Sequence, residues 1–164
     1  MVGAMTDLAT DGITRAITAP EPARPLAAWP RQWPAQMELL ERQHDRLEAL
    51  LAELLQRHDP TQPPWGAAEA LAMTSACRRL LWSLRLHLRL EERWLDAHGC
   101  LCQGHRTAHQ QALAQAISGF QACLADRAAQ RHWLLGLQSW FNGHRLGPDA
   151  IAYALATASP SPRF

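Results

Sequence analysis

Apolar residues recur every three or four positions in four separate segments of the chain, and this periodicity restricts the fold more than any other feature of the sequence. The spacing is typical of an amphipathic α-helix that buries one face. No segment alternates apolar and polar residues as a half-buried β-strand does. We therefore predict an all-α fold, an up-down-up-down antiparallel four-helix bundle with short connections. The predicted helices run from Ala35 to the proline-rich break at 59–64, from about Gly66 to His98, from about Gln103 to Asp126, and onward from about Ala128.

The chain has 164 residues, enough to bury one core without disulfides, so we expect a single domain. Residues 1–34 contain five prolines and cannot form a regular helix, which predicts an irregular N-terminal arm. Within it, Trp29 and Trp33 are large enough to anchor the arm on a surface. The expected division is therefore an arm at 1–34, a helical bundle at 35–158 and a C-terminal tail at 159–164.

The charge of the chain is almost balanced, with 16 basic residues against 15 acids and a net charge of +1 at pH 7. This balance disfavours electrostatic capture of nucleic acid or of an acidic membrane, so we expect a small or neutral ligand. The N-terminal segment contains Asp7 and Asp11 and no apolar run long enough for a signal peptide or a membrane span, which predicts a cytoplasmic protein. In that compartment the cysteines are expected to stay reduced.

Titratable residues occupy the predicted buried face of every helix, where leucine would be expected. Residues four apart lie on the same face of a helix, so His87 shares a face with Glu91, and His105 shares one with His109. Glu92 falls on the flank of its helix, where we expect it to be solvated or paired with an arginine. The inward-facing set is His44 from the first helix, His87 and Glu91 from the second, His105 and His109 from the third, and His144 from the fourth.

The convergence of five histidines on one core favours a metal site. An unpartnered imidazole in a core would cost about 1 to 3 kcal/mol, and a buried carboxylate more, whereas a bound cation removes this cost. Core histidines that are satisfied by hydrogen bonds alone are the alternative interpretation. Three further histidines, His58, His98 and His132, stand near helix ends and are expected to be surface residues or helix caps.

Four segments carry the inward-facing residues in a characteristic order: RQHDRL, HLRLE, HRTAH and WFNGHRLGPD. In that order the chain resembles the hemerythrin family, in particular its stand-alone bacterial form, bacteriohemerythrin, over roughly residues 29–155. The resemblance implies a non-haem centre of two iron ions that share a bridging oxo or hydroxo group. It also implies which side chains bind each iron: His105, His109 and His144 hold one, His44 and His87 hold the other, and Glu91 and Asp149 bridge both.

When both irons are six-coordinate, this ligand set fills every position except one, on the iron with two histidines. A single vacancy suits end-on binding of O2, or of another small diatomic molecule or anion. The resemblance therefore implies reversible O2 binding for storage, delivery or sensing rather than enzymatic turnover, with Leu47, Leu88 and Trp140 lining the O2 pocket. The alternatives are a di-iron redox enzyme such as a peroxidase, an oxidase or a nitric-oxide-handling protein, an iron store, and a bundle that binds no metal.

The segment after the last histidine departs from a simple helical pattern. Asp149 follows His144 by five positions, so a regular α-helix would point the two side chains about 140° apart. Pro148 has no N–H to bond the carbonyl of His144, which predicts a wide or π-type turn at 145–149 that returns Asp149 to the histidine. Arg145 stands where the family usually has a bulky aliphatic residue. Because burial of an unpaired guanidinium is costly, we expect Arg145 to point outward.

Overall fold

The computed structural model describes residues 33–158, and these residues contain helices and turns but no strand. The all-α prediction is confirmed for this part of the chain. Most of the predicted arm, including Trp29, and the tail at 159–164 lie outside the described residues, and so does the side chain of Trp33. The elements are α1 (Trp33–Arg57), α2 (Ala67–Ala97), α3 (Gln103–Ala122), α4 (Arg127–His144), a π-helical turn (Arg145–Asp149) and α5 (Ala150–Ala158).

The helix boundaries follow local capping. α1 starts at Trp33, ahead of the predicted Ala35, because the first turn of a helix tolerates the missing N–H of Pro34. α2 is followed by Gly99, whose φ of 69° lies in the left-handed region that glycine adopts easily past a helix end. The prediction that the third helix reaches Asp126 was wrong. The Asp126 carboxylate instead accepts hydrogen bonds from the backbone N–H groups of α4, as an N-cap does.

The four long helices enclose one polar band between two apolar clusters. α1 packs against α2 and α4, and α3 packs against the same two helices, so the four form a closed ring of neighbours. The larger apolar cluster contains Leu51, Leu84 and Phe141, and the smaller one contains Leu40 and Trp94. Since His44 follows Leu40 and precedes Leu51 on α1, the histidines lie where these two clusters meet.

The buried face of α4 is rotated slightly from the predicted one. Trp133 and Trp140 were expected on the buried stripe, but both are only half-buried, while Leu134 and Phe141 lie in the core. An indole suits the boundary of a core because its N–H needs a polar partner. Trp133 Nε1 donates to the carbonyl of Ala116 at 3.0 Å, which holds the ring at the edge between α3 and α4.

His58, which follows the last residue of α1, was expected to be a surface residue or a helix cap. The surface position was wrong, whereas the cap is confirmed, because His58 bonds the Leu54 carbonyl in the last turn of α1. It is 1% exposed. Its Nδ1 donates to the carbonyl of Leu54 at 2.6 Å, and its Nε2 lies 3.0 Å from Gln130 Oε1. The break after α1 folds back over this histidine because Arg127 binds carbonyl oxygens along the break.

The other two histidines near helix ends behave as expected: His98 is the C-cap of α2, and His132 is exposed. Across residues 33–158, no helix combines the length and the apolar character needed to cross a membrane.

Candidate metal centre

Three histidines bring their Nε2 atoms to one point between α3 and α4. His105 and His109 lie four residues apart on α3, and His144 is the last residue of α4. The Nε2–Nε2 distances are 3.0 Å between His105 and His109, 2.8 Å between His109 and His144, and 3.2 Å between His144 and His105. All three side chains are buried. We call these residues the three-histidine cluster.

Asp149 reaches this cluster because the chain forms a π-helical turn at Arg145–Asp149 with Pro148 inside it. The predicted irregularity at 145–149 is therefore confirmed. Asp149 Oδ1 lies 3.0 Å from His144 Nε2 and 3.1 Å from His105 Nε2. Its other carboxylate oxygen, Oδ2, lies 3.5 Å from His44 Nε2 on the far side of the site. The carboxylate thus spans two groups of histidines.

The second group, which we call the two-histidine cluster, consists of His44 from α1 and His87 from α2, with ring centroids 4.4 Å apart. Glu91, one helical turn after His87, joins it to the three-histidine cluster. Glu91 Oε2 lies 3.7 Å from His87 Nε2 and 3.5 Å from His109 Nε2, and Oε1 lies 4.0 Å from His44 Nε2. The structure therefore brings together all seven residues that the resemblance implied as iron ligands.

The donor atoms have the spacing that a metal ion requires. Ligand atoms at right angles around an octahedral ion, with bonds of about 2.1 Å, lie about 3.0 Å apart. The separations of 2.8 to 3.2 Å within the three-histidine cluster match this value, as do those from Asp149 Oδ1 to His105 and His144. Within the described part of the chain, the buried Nε2 atoms of His44 and His87 and both Glu91 oxygens have no hydrogen-bond partner. Since unsatisfied buried polar groups are rare, these atoms fit a bound cation.

Burial and neighbouring charges shift the pKa values of the ligand side chains in different directions. Burial holds the pKa of His87 well below its usual value and lowers that of His109 to about 3, so both imidazoles are neutral, as metal ligands must be. Burial and the nearby charge of Asp149 raise the pKa of Glu91 to about 7. Although burial opposes it, the close imidazoles of His105, His144 and His44 hold the pKa of Asp149 well below its usual range. The two carboxylates therefore have pKa values shifted in opposite directions, as is usual when two acids share one site.

Two of the ligand histidines have their ring orientation fixed by a hydrogen bond from Nδ1. His109 Nδ1 donates to Glu92 Oε1 at 3.1 Å, and His87 Nδ1 donates to Gln43 Oε1 at 3.1 Å. These bonds direct Nε2 of each ring into the site. The expectation that Glu92 is solvated or paired with an arginine was therefore wrong. The flank of α2 that carries Glu92 faces α3, so its carboxylate meets His109 instead.

Sequence reasoning missed two aromatic residues that surround the two-histidine cluster. The Phe141 ring centroid lies 5.7 Å from that of His44 and 6.2 Å from that of His87. The Tyr153 ring stacks on His44, with ring centroids 5.9 Å apart. The signal for Tyr153 was its position four residues after Asp149, which places both on one helical face.

The three residues predicted to line an O2 pocket occupy different places. Leu47 and Leu88 are buried in the same apolar cluster as Phe141. Trp140 instead stacks on His144, with ring centroids 4.8 Å apart and planes at 18°, so it borders the three-histidine cluster. Among these aromatic residues, Phe141 is the one whose ring packs against both His44 and His87.

Arg145 points away from the histidines, as expected. Its guanidinium lies 3.0 Å from Glu41 Oε2, 2.8 Å from Asp45 Oδ1 and 2.9 Å from Glu48 Oε1, all on α1. The cation is therefore paired, although the expectation was only that it would reach the surface. Through these contacts Arg145 joins the π-helical turn to the first helix.

Comparison with known protein families shows that residues 36–156 match the family described as the hemerythrin HHE cation binding domain. This match covers more than half of the 164 residues. Comparisons with curated proteins and with solved structures gave no match. The matched range contains the three-histidine cluster, the two-histidine cluster and both carboxylates that lie between them.

Proposed function

Because the chain belongs to the hemerythrin HHE cation-binding family, we propose that it binds O2 reversibly at a carboxylate-bridged centre of two iron ions. The observation that carries the proposal is the presence of two donor clusters that share carboxylates. Asp149 and Glu91 each have one oxygen near the three-histidine cluster and another near His44. Such an arrangement suits two adjacent metal ions better than one.

We assign the three-histidine cluster to one iron, the two-histidine cluster to the other, and both carboxylates to the pair. Nitrogen and oxygen ligands of this kind suit iron, although they would also accept manganese, cobalt or zinc. The cofactor is then two irons with a bridging oxo or hydroxo group. When bound, this pair supplies the two electrons that O2 takes up and later returns.

The residues around the two-histidine cluster favour reversible binding. That cluster offers one imidazole fewer than its neighbour, which leaves a coordination position for a diatomic ligand. Phe141, Leu47 and Leu88 belong to one buried apolar cluster beside it and exclude water. We keep Leu47 and Leu88 as the proposed lining on this side and add Phe141, while Trp140 would line the pocket from the side of the three-histidine cluster. Two carboxylates among seven ligands also supply little negative charge to stabilise highly oxidised iron.

A di-iron redox enzyme is the alternative function, and one observation favours it. Burial and the nearby charge of Glu91 raise the pKa of the Tyr153 phenol, and the Tyr153 ring lies 5.0 Å from that of Trp94. Both side chains can be oxidised, and both are buried beside the centre. A peroxidase, an oxidase or a nitric-oxide-handling protein could use such residues.

One experiment separates the two functions. The anaerobically reduced, iron-loaded protein is exposed to O2, its visible spectrum is recorded, and O2 is then removed under vacuum. A coloured species that appears and then disappears over repeated cycles supports reversible binding. Oxidation that O2 removal does not reverse, with consumption of O2, overturns it in favour of the enzyme.

The proposal includes the arrangement of the chain. The larger apolar cluster combines Leu54, late in α1, with Met73, early in α2, and Phe120, late in α3, with Leu134, early in α4. Successive helices that run in opposite directions would bring these residues together, which supports the up-down-up-down topology. We further propose that residues 35–158 form the domain, with an arm before it and a tail after it, and that the protein is cytoplasmic.

A further inference from the structure

His44 and Arg145 face the same carboxylate oxygen, Glu41 Oε2. The oxygen lies 3.0 Å from the Arg145 guanidinium and 3.6 Å from His44 Nδ1. The first distance is a charge-assisted hydrogen bond, whereas the second is too long for a hydrogen bond. Among the residues that the structure describes, none completes a hydrogen bond with the fully buried Nδ1 of His44.

The other ligand histidines with described Nδ1 partners differ from His44. His109 Nδ1 reaches the carboxylate of Glu92 at 3.1 Å, and His87 Nδ1 reaches the amide of Gln43 at 3.1 Å. A carboxylate that accepts the Nδ1 proton makes an imidazole a stronger donor to a metal. His44 has such a carboxylate nearby but does not bond to it.

Arg145 is held firmly enough to keep Glu41 in place. Its guanidinium also binds Asp45 at 2.8 Å and Glu48 at 2.9 Å, so three contacts fix its position. Its planar fork presents several donors at once, and the side chain of Arg145 is only 22% exposed. Because the Arg145 cation is fixed, the Glu41 oxygen bound to it is held away from His44.

We propose that Arg145 is a positioning residue that withholds Glu41 from His44, and so weakens electron donation by His44 to the metal at the two-histidine cluster. This inference rests on the proposed function. A less electron-rich iron at the site of O2 binding is harder to oxidise irreversibly, which favours release of O2. Arg145 stands where the family usually has a bulky aliphatic residue. It acts on His44 through Glu41.

The test replaces Arg145 with leucine and follows His44 directly. In the zinc-loaded protein, the NMR signal of the His44 Nδ1 proton should move downfield in Arg145→Leu as Glu41 closes the hydrogen bond. Zinc affinity at the two-histidine cluster should rise by about tenfold. This is the lower end of the change in affinity caused by residues that hydrogen-bond to a metal ligand. In the iron-loaded protein, the reduction potential should become more negative. Arg57→Leu, which removes a similar surface pair with Glu53, should change none of these quantities.

A double-mutant cycle separates this role from a general loss of structure. If Arg145 acts through Glu41, its replacement in a Glu41→Gln background should change neither the NMR shift of the His44 Nδ1 proton nor the zinc affinity. Effects of equal size in both backgrounds would overturn the inference, and so would an unmoved His44 proton in Arg145→Leu. Arg145→Gln serves the same comparison in case leucine prevents folding.

The zinc measurements do not depend on O2 chemistry, so the two proposals can fail separately. A His44 shift in a protein that consumes O2 irreversibly supports the role of Arg145 and overturns reversible O2 binding. An unmoved His44 proton in a protein that binds O2 reversibly overturns only the role of Arg145. A wild-type protein that binds no metal overturns both.

Discussion

Asp149 Oδ1 lies 3.0 Å from His144 Nε2 although the two residues are five positions apart, a separation that a regular α-helix would turn to different faces. The π-helical turn at Arg145–Asp149 removes this mismatch. Pro148 favours the turn because it has no N–H to continue the regular helical bonding. Pro148 therefore favours the turn that lets Asp149 lie between the two clusters.

Replacement of Pro148 with alanine should weaken metal binding. The alanine N–H can bond the carbonyl of His144, so a regular helix would compete with the π-helical turn and rotate Asp149 out of the site. We expect metal affinity to fall by tenfold or more, by roughly the magnitude seen when support for metal ligands is lost. Competition titration with a chelator measures this. Pro60→Ala, in the exposed break at the other end, is the matched control and should leave affinity unchanged.

Replacement of Glu92 with leucine should also weaken metal binding, through His109. Without the carboxylate, His109 loses the bond that orients its ring, and affinity should fall about 10- to 100-fold. Glu53→Leu removes an exposed carboxylate on α1 and should have no such effect. Equal affinities for zinc in the Glu92 variant and in wild-type protein would show that Glu92 does not support the site.

Metal affinity should decrease as the pH falls below about 7. Glu91 has its pKa raised to about 7 in the metal-free protein, mainly by burial, so it carries a proton below that pH. A bound metal needs the carboxylate, and the proton must leave, so each unit of lower pH reduces affinity up to about tenfold for this group. At higher pH the carboxyl is already ionised and its contribution becomes constant. Zinc titrations across this range check the slope, and an affinity independent of pH would contradict it.

Replacement of His58 with alanine should destabilise the metal-free protein. The substitution removes the side-chain contacts to the Gln130 amide and the Leu54 carbonyl and opens a cavity, at a cost of about 2 to 3 kcal/mol. His132→Ala is the control, because an exposed histidine should change stability by less than about 0.5 kcal/mol. Urea unfolding of both variants provides the comparison. A His58 variant as stable as the control would mean that this contact contributes nothing.

The helices and the inward-facing histidines could be predicted because both depend on spacing within one segment. Residues such as His87 and Glu91 must share a face in any regular helix, whatever packs against it. Even the irregular turn before Asp149 was predictable, since Pro148 determines it locally. These features need no knowledge of how one helix sits against another.

The partners of the site residues could not be predicted in the same way. Glu92 meets His109, and Gln43 meets His87, because of the rotation of neighbouring helices about their axes, which spacing alone does not determine. The same rotation places Phe141 in the core and leaves Trp140 at its edge. His58 is buried by a break that folds over it, and that path depends on the distant Arg127.

The iron content of the anaerobically reconstituted protein tests the central claim most directly. Two clusters that share Glu91 and Asp149 should hold two irons per chain, and Asp149→Ala should lower that number. Elemental analysis against protein concentration gives the ratio. A value of two in wild-type protein and less in the variant is the predicted result, whereas a wild-type chain that holds one iron or none would contradict a paired centre.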